Sequence, residues 1–381
     1  MINYPKIWLS SPHMGGTELN FIHEAFDSNW IAPLGANITA FEQDLEKYLS
    51  NEVFVTALNS ATSAIHLGLI LLDVKAGDVV ICQSMTFSAS ANPILYLGAT
   101  PIFIDSETET WNLCPLALEQ AIVDTIYKGQ IPKAIITVHL YGVPYKIDEI
   151  RAIANRYNIP ILEDSAEALG SSYKGQKCGT FGDIGIFSFN GNKIITTSGG
   201  GAIVTSNNQL KKKVQFLASQ SKDDTPHYQH SEIGYNYQIS NICAGIGRGQ
   251  MEVLEKHISL RRAMHNFYDK LFKDIPGITV FTITNPDYFA NYWLTSILVN
   301  PNETKNGITR EDIRLTLLKS NIESRPLWKP MHMQPLFEKY PFYGNTIAET
   351  LFDNGLSLPS GSNLTDSDKE RIRTVLLKLL S

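Results

Sequence analysis

The chain has 381 residues, 43% hydrophobic and 18% charged, and its 32 basic and 38 acidic side chains give a formal charge of -6. That length predicts about two domains. The apolar content excludes a disordered chain, and the acidic balance excludes the basic footprint that nonspecific nucleic-acid binding requires.

The opening, Met1 to Leu9, carries no apolar signal core. Val53 to Leu58 reads as a strand and Ala61 to Leu72 as an apolar helix. Val79 to Ile104 is the longest uncharged stretch, but Gln83, Ser84, Thr86, Ser88, Ser90, Asn92 and Pro93 would be costly against lipid. It reads as a strand (Val79 to Gln83), a turn, a buried helix and a second strand (Thr100 to Ile104). Leu116 to Ile126 is helical, Lys133 to Leu140 a strand ending in a turn at Tyr141-Gly142, Ile147 to Tyr157 helical, and Pro160 to Glu163 a strand. The basic run Lys211 to Lys213 reads as a solvated helix face. From Gln250 to Phe272 the spacing of Met251, Leu254, Ile258, Met264, Phe267 and Leu271 predicts one long helix. Ile278 to Thr282 and Trp293 to Val299 then read as strands, and Arg310 to Leu318 and Asp366 to Leu380 as helices.

Strand and helix alternation predicts an α/β fold: a large domain, residues 1–250, with a mostly parallel sheet, then a smaller C-terminal α+β domain, residues 251–381. Short apolar strands without alternation fit strands covered on both faces. The first 30 or so residues fit against either domain. Cys82, Cys114, Cys178 and Cys243 show no paired metal-ligand spacing. No metal is expected, and reduced thiols in a cytoplasmic protein are.

In an open α/β sheet, function collects where strands end. Three such places stand out. Asn59 to Ser63 lies between a strand and a helix, where small residues serve either as a helix cap or as a phosphate cradle. Asp164 follows an apolar strand, and such a carboxylate caps a helix, binds a metal or pairs with a cationic ring nitrogen; with no His or Cys nearby in sequence, the metal is the weakest of the three. Lys193 sits between a strand-like run and another apolar run, as a surface residue or as an amine able to form a Schiff base. Gly199 to Gly201 match no nucleotide-loop pattern and read as a permissive turn. A phosphate cradle, a carboxylate and a lysine together are the parts of a pyridoxal 5'-phosphate site, with Phe87 available to stack on the ring.

The sequence resembles the DegT/StrS family of nucleotide-sugar aminotransferases, which have the fold of aspartate aminotransferase (fold type I of pyridoxal phosphate enzymes). The resemblance spans nearly the whole chain. Its carriers are SPHMGG (Ser11 to Gly16), SNWIAPLG (Ser28 to Gly35), NSATSAIHL (Asn59 to Leu67), HLYG (His139 to Gly142), EDSAEALG (Glu163 to Gly170), GTFGDIGIFSFNGNKIITTSGGG (Gly179 to Gly201), HSEIGYNYQISN (His230 to Asn241), RPLWKPMH (Arg325 to His332) and LPSGSNLT (Leu358 to Thr365). The opening segment, the run around Lys193 and RPLWKPMH look most like enzymes that aminate UDP-4-keto-6-deoxy-N-acetylglucosamine in the bacillosamine branch of bacterial glycan synthesis.

The resemblance implies roles residue by residue. Lys193 matches the Schiff-base lysine and Asp164 the partner of the pyridine nitrogen. Glu167 matches a position near the ring hydroxyl, Phe87 the stacking aromatic, and Ala61, Thr62 and Ser188 the phosphate ligands. Asn236 matches an asparagine that reaches the cofactor phosphate of a neighbouring subunit, which implies a homodimer with shared sites. Relatives that dehydrate sugars carry histidine in place of Lys193, so the lysine favours transamination from L-glutamate. The family usually has arginine where this chain has Gln238, a lost cation that bears either on a substrate diphosphate contact or on a structural pair. Trp30, Arg325, Trp328 and His332 either line the nucleotide-sugar pocket or anchor packing and interfaces. The rival readings are the same chemistry on a GDP- or dTDP-4-ketosugar, and a non-catalytic cofactor-binding regulator. Retention of Lys193 and Asp164, with no appended helix-turn-helix pattern, speaks against the regulator.

Overall fold

The computed structural model describes residues 5–50 and 52–380, so the first four residues of the Met1 to Leu9 opening lie outside the described residues. Two helices with no counterpart among the sequence-predicted elements come first, α1 (Glu18–Asp27) and α2 (Ala36–Leu49). The predicted alternation follows: β1 (Phe54–Leu58), α3 (Ala61–Leu71), β2 (Val79–Gln83), α4 (Asn92–Tyr96), β3 (Thr100–Ile104), α5 (Pro115–Tyr127), β4 (Ala134–Val138), α6 (Ile147–Tyr157) and β5 (Ile161–Asp164). A small hairpin, β6 (Ser172–Tyr173) and β7 (Gln176–Lys177), precedes β8 (Ile184–Ser188), β9 (Gly201–Thr205) and α7 (Asn208–Ala218). Helices α8 (Asn241–Glu252) and α9 (Leu254–Phe272) lead into β10 (Ile278–Val280), β11 (Tyr288–Phe289) and β12 (Thr295–Val299). The chain continues through α10 (Arg310–Lys319), β13 (Arg325–Pro326), β14 (Phe342–Tyr343), α11 (Ile347–Asn354), β15 (Gly355–Leu358) and α12 (Asp366–Leu380).

The central sheet has the order β1-β9-β8-β5-β4-β2-β3-β14. From β8 to β14 every neighbouring pair is parallel, and β9 pairs antiparallel with both β1 and β8. All residues of β2, β4, β5, β8 and β9 are buried, because helices cover both faces, which is why these strands read as unbroken apolar runs. Helix α3 is buried from Ser63 to Leu69. Gly68 lets it settle on the sheet, since a Cβ there would stand 2.7 Å from the Leu162 side chain. The last third of the chain forms an antiparallel sheet, β10-β12-β15-β13, whose core joins Met264, Tyr268 and Phe272 of α9 to Ile297, Leu356, Ile372 and Leu376.

The last third also returns to the large sheet. Phe342 and Tyr343 of β14 pair in parallel with Phe103 and Ile104 at the edge of β3. The Asp105 carboxylate then accepts the backbone N–H groups of Asn345, Ile347 and Ala348, between 2.8 and 3.1 Å. The N-terminal segment touches both parts: α1 packs on α8, and Ile7 bridges to Ile322.

Three expectations need correction. The predicted helix Gln250 to Phe272 is two helices, broken at Val253 (φ -112°, ψ 6°), where the valine methyls press against Gly15. No glycine or proline marks the break, so the apolar spacing runs through it. The solvated face holds for Lys212 and Lys213 but not fully for Lys211, which is half-buried: α7 turns it onto α2, where Nζ meets Glu46 at 2.8 Å and Glu42 at 3.7 Å. The strand at Lys133 to Leu140 ends at Val138, and Leu140 to Gly142 turn with Tyr141 at φ 54°.

Candidate active site

Strands β4, β5 and β8 end at one edge of the sheet, beside the start of α3. There a cavity of about 320 Å³ is lined by Ala61, Thr62, Phe87, Asp164, Glu167, Ser188, Lys193 and Trp328. Residues from five well-separated stretches of sequence thus converge, as strand ends of an α/β sheet do. Ser90, Asn190, Asn192, Gly199, Gly200 and Trp293 complete much of the wall.

The α3 end is capped, and it also lines the cavity. Ser60 Oγ accepts the N–H of Ser63, the helix cap its position predicts. The amides of Ala61 and Thr62 precede the first helical hydrogen bond and have no carbonyl partner within the helix. Strand β9 begins hard against them: a Cβ on Gly201 would stand 2.4 Å from the Ala61 nitrogen. A Cβ on Gly200 would stand 2.2 Å from Thr197 Oγ1. Glycine is needed here for close approach, more than for the turn.

Asp164 closes β5 and is 5% exposed. Its Oδ2 accepts from Ser90 Oγ at 2.6 Å and its Oδ1 from the Ala166 N–H at 3.1 Å. Ser90 spends its one proton on the carboxylate, so Thr86 Oγ1, 2.7 Å from Ser90 Oγ, is the donor to Ser90. Burial pushes the Asp164 carboxyl up from its usual range, against the Ser90 and Ala166 hydrogen bonds that pull it down. Among the described residues it has no cation within ion-pair distance. Glu167 is likewise raised by burial and partly held down by Lys193. Lys193 Nζ lies 3.6 Å from Glu167 Oε1 and 3.9 Å from the centroid of the Trp293 ring.

Behind Asp164 lies a fully buried pair, His139 Nε2 to Glu163 Oε1 at 2.7 Å. Glu163 also accepts the N–H groups of Gly179, Phe181 and Gly182. Burial alone would raise this carboxyl, but the His139 hydrogen bond and charge and the backbone donors hold it below its ordinary value. Cys178 joins these two in a cluster whose candidate ligand atoms lie within 4.8 Å. Glu163 is already saturated by backbone donors, so the cluster serves to fix the strand end that carries Asp164.

The remaining sequence candidates lie elsewhere on the chain. Trp30 lines a separate cleft with Glu24, Ser28, Gly35 and Asn241. Arg325 folds back on Glu323 at 2.8 Å, beside Lys6 and Arg314. His332 is held by Ser84 Oγ at 2.6 Å and stacks on Phe342, so it braces β14. Asn236 is exposed, with its carbonyl accepting from Asn59 Nδ2. Gln238 lines a groove between α2 and α7 and bridges to Leu58. Sequence reasoning missed Ser90 and Trp293. A serine inside a buried, uncharged run was the available signal for the first; the second carried none beyond opening a strand.

A family model described as the DegT/DnrJ/EryC1/StrS aminotransferase family matches residues 12–377. The chain is 49% identical to the pyridoxal phosphate-dependent aminotransferase EpsN of Bacillus subtilis, over 99% of this chain and 96% of that one. It is 39% identical to GDP-perosamine synthase of Escherichia coli O157:H7, over 93% of each chain. Among solved structures, Helicobacter pylori PseC, an aminotransferase involved in pseudoaminic acid biosynthesis, superposes with a TM-score of 0.88 at 26% identity over 99% of both chains. Sequence, fold and converging site residues agree: this chain belongs to the DegT/DnrJ/EryC1/StrS family and is a pyridoxal phosphate-dependent sugar aminotransferase.

Proposed function

We propose that the protein moves the amino group of L-glutamate to C4 of UDP-4-keto-6-deoxy-N-acetylglucosamine, giving a UDP-4-amino-4,6-dideoxy sugar for bacterial glycan synthesis. The observation that carries the chemistry is one cavity shared by the Lys193 amine, the buried Asp164 carboxylate and the open amides of α3. These residues fit pyridoxal 5'-phosphate. The glycine-walled amides suit a phosphate. A buried carboxylate with two neutral donors and no cation suits a protonated ring nitrogen.

When bound, the cofactor supplies an amine-exchanging carbonyl carbon and a ring that withdraws an electron pair. The protein does the rest. Ala61, Thr62 and Ser188 would hold the phosphate, and Phe87 would stack on the ring. Asp164 would keep the proton on the ring nitrogen, and Glu167 would serve the ring hydroxyl. Lys193 takes the proton from Cα of glutamate and, in the second half-reaction, delivers one to C4 of the sugar. Trp328 is the wall on the sugar side. A division at residues 250/251, between a cofactor-binding part and a smaller part that lends Trp293 and Trp328 to the cavity, goes with this reading.

We also read the protein as a homodimer with shared sites, working in the cytoplasm. Asn236 is exposed and free to serve a partner's site, and Trp30, Tyr228 and Ile233 leave large apolar side chains in solvent, as an interface would. The four cysteines are free thiols. Among the described residues no helix is long and apolar enough to cross a membrane.

A second substrate has its own support: GDP-perosamine synthase at 39% identity favours a GDP-4-ketosugar. Absorbance of cofactor-loaded protein separates the two. Glutamate should bleach the visible band, and the UDP-ketosugar should restore it. Restoration by a GDP- or dTDP-ketosugar alone would replace the substrate and leave the aminotransferase intact.

A further inference from the structure

Arg261 of α9 is 1% exposed, and no carboxylate among the described residues lies within ion-pair distance of it. A buried guanidinium without a counter-ion is costly unless its hydrogen bonds are well placed. Here they are, and two of the four go to residues that line the site, Lys193 and Trp293. One terminal nitrogen donates to the carbonyl of Trp293 at 2.7 Å and to that of Ser360 at 3.3 Å. The other donates to the carbonyl of Lys193 at 3.1 Å and to Ser10 Oγ at 2.9 Å. The Nε–H is left without an acceptor, so the fork is aimed at these oxygens rather than fitted evenly to its surroundings.

The contacts close a ring. The Trp293 indole N–H donates to the carbonyl of Asn192, the residue before Lys193, at 2.7 Å. The indole face then lies 3.9 Å from Lys193 Nζ. Asn192 is thus tied to the Trp293 indole, and the Lys193 and Trp293 carbonyls are tied to each other through Arg261 of α9. We propose that Arg261 is a positioning residue for amino transfer: by bridging the carbonyls of Lys193 and Trp293 it keeps the indole face over the lysine amine. This rests on Lys193 being the reacting amine. Burial pushes the guanidinium down to about 9, which still leaves it protonated at neutral pH. A planar fork bridges two carbonyls in a way a lysine ammonium cannot reproduce.

The test uses cofactor-loaded R261K and W293L, with folding checked by circular dichroism. Two quantities are read: kcat and KM for glutamate, and the pH midpoint of the visible absorption band, which reports the lysine's surroundings without turnover. A small misplacement of a reacting group costs about ten- to hundredfold. Both variants should lose about that much in kcat with KM little changed, and both should shift the pH midpoint in the same direction. R261K with wild-type kcat and midpoint overturns the positioning role. W293L behaving as wild type overturns it too, because the held object would then be irrelevant. If wild-type protein itself gives no glutamate response, the aminotransferase reading fails and takes this assignment with it.

Discussion

Replacing Ser90 by alanine should move the acidic limb of the reaction upward in pH. Ser90 makes the shortest hydrogen bond to Asp164, 2.6 Å onto Oδ2, and both groups are buried. A hydrogen bond to a charged group contributes about 1.5–3 kcal/mol. Its loss disfavours the carboxylate form of Asp164 by that amount and so raises this carboxyl further. The direction follows from the Ser90 hydrogen bond, which holds this carboxyl down against the burial that lifts it. The working form is the carboxylate, which is lost as pH falls through its pKa, so a higher pKa means loss at higher pH. Single-turnover rates with glutamate, measured from acidic to neutral pH in wild type and S90A, read the limb directly. T86V should move it the same way by less, since Thr86 acts only by donating to Ser90. An S90A limb that coincides with wild type would show that Ser90 does not act on Asp164.

Lys193→Ala should leave folding intact and cut transfer by about 10⁴-fold, the upper range for a general acid–base group; near-normal turnover would remove Lys193 from the mechanism. Glu163→Gln should destabilise the fold by about 3–5 kcal/mol, because it strips the charge from a buried pair and turns an amide toward backbone donors. Urea unfolding measures this, and a loss below about 1 kcal/mol, the scale of a surface pair, would refute the reasoning. In the wild type, Glu163's stabilisation is present above the ordinary carboxylate pKa and disappears as pH falls through its lowered native value. Gly201→Ala should weaken cofactor binding in a fluorescence titration, since the new methyl meets the Ala61 nitrogen; unchanged affinity would mean that the cradle tolerates widening.

The sequence made the sheet legible because strands covered on both faces must be apolar, as in Val79–Gln83 and Ala134–Val138. It exposed Asp164 and Lys193 because each stands out against an apolar run. The phosphate cradle was ambiguous for a physical reason: Ser60 does cap α3, and the same geometry frees the amides that suit an anion. Ser90 and Trp293 act through partners distant in the chain, Asp164 and Lys193, and no local pattern announces such partners. Arg261 was within reach. Leu254, Ile258, Arg261, His265, Tyr268 and Phe272 follow the buried face of α9, so a cation stands at a core position of the helical spacing. Trp30, Arg325 and His332 stood in recognisable segments, but a segment does not say which surface its side chains reach.

The return of β14 to β3 bears on how the protein is made. Strand β3 is complete at Ile104, yet the strand that shields its outer edge is Phe342–Tyr343, and the Asp105 clasp needs Ala348. A growing chain therefore carries an unprotected sheet edge through most of its synthesis, and such edges invite pairing with other chains. Ribosome-stalled or prematurely terminated products that stop short of Phe342 would be the sticky ones, and the protein's demand on chaperones should fall only once Phe342 to Ala348 have been made.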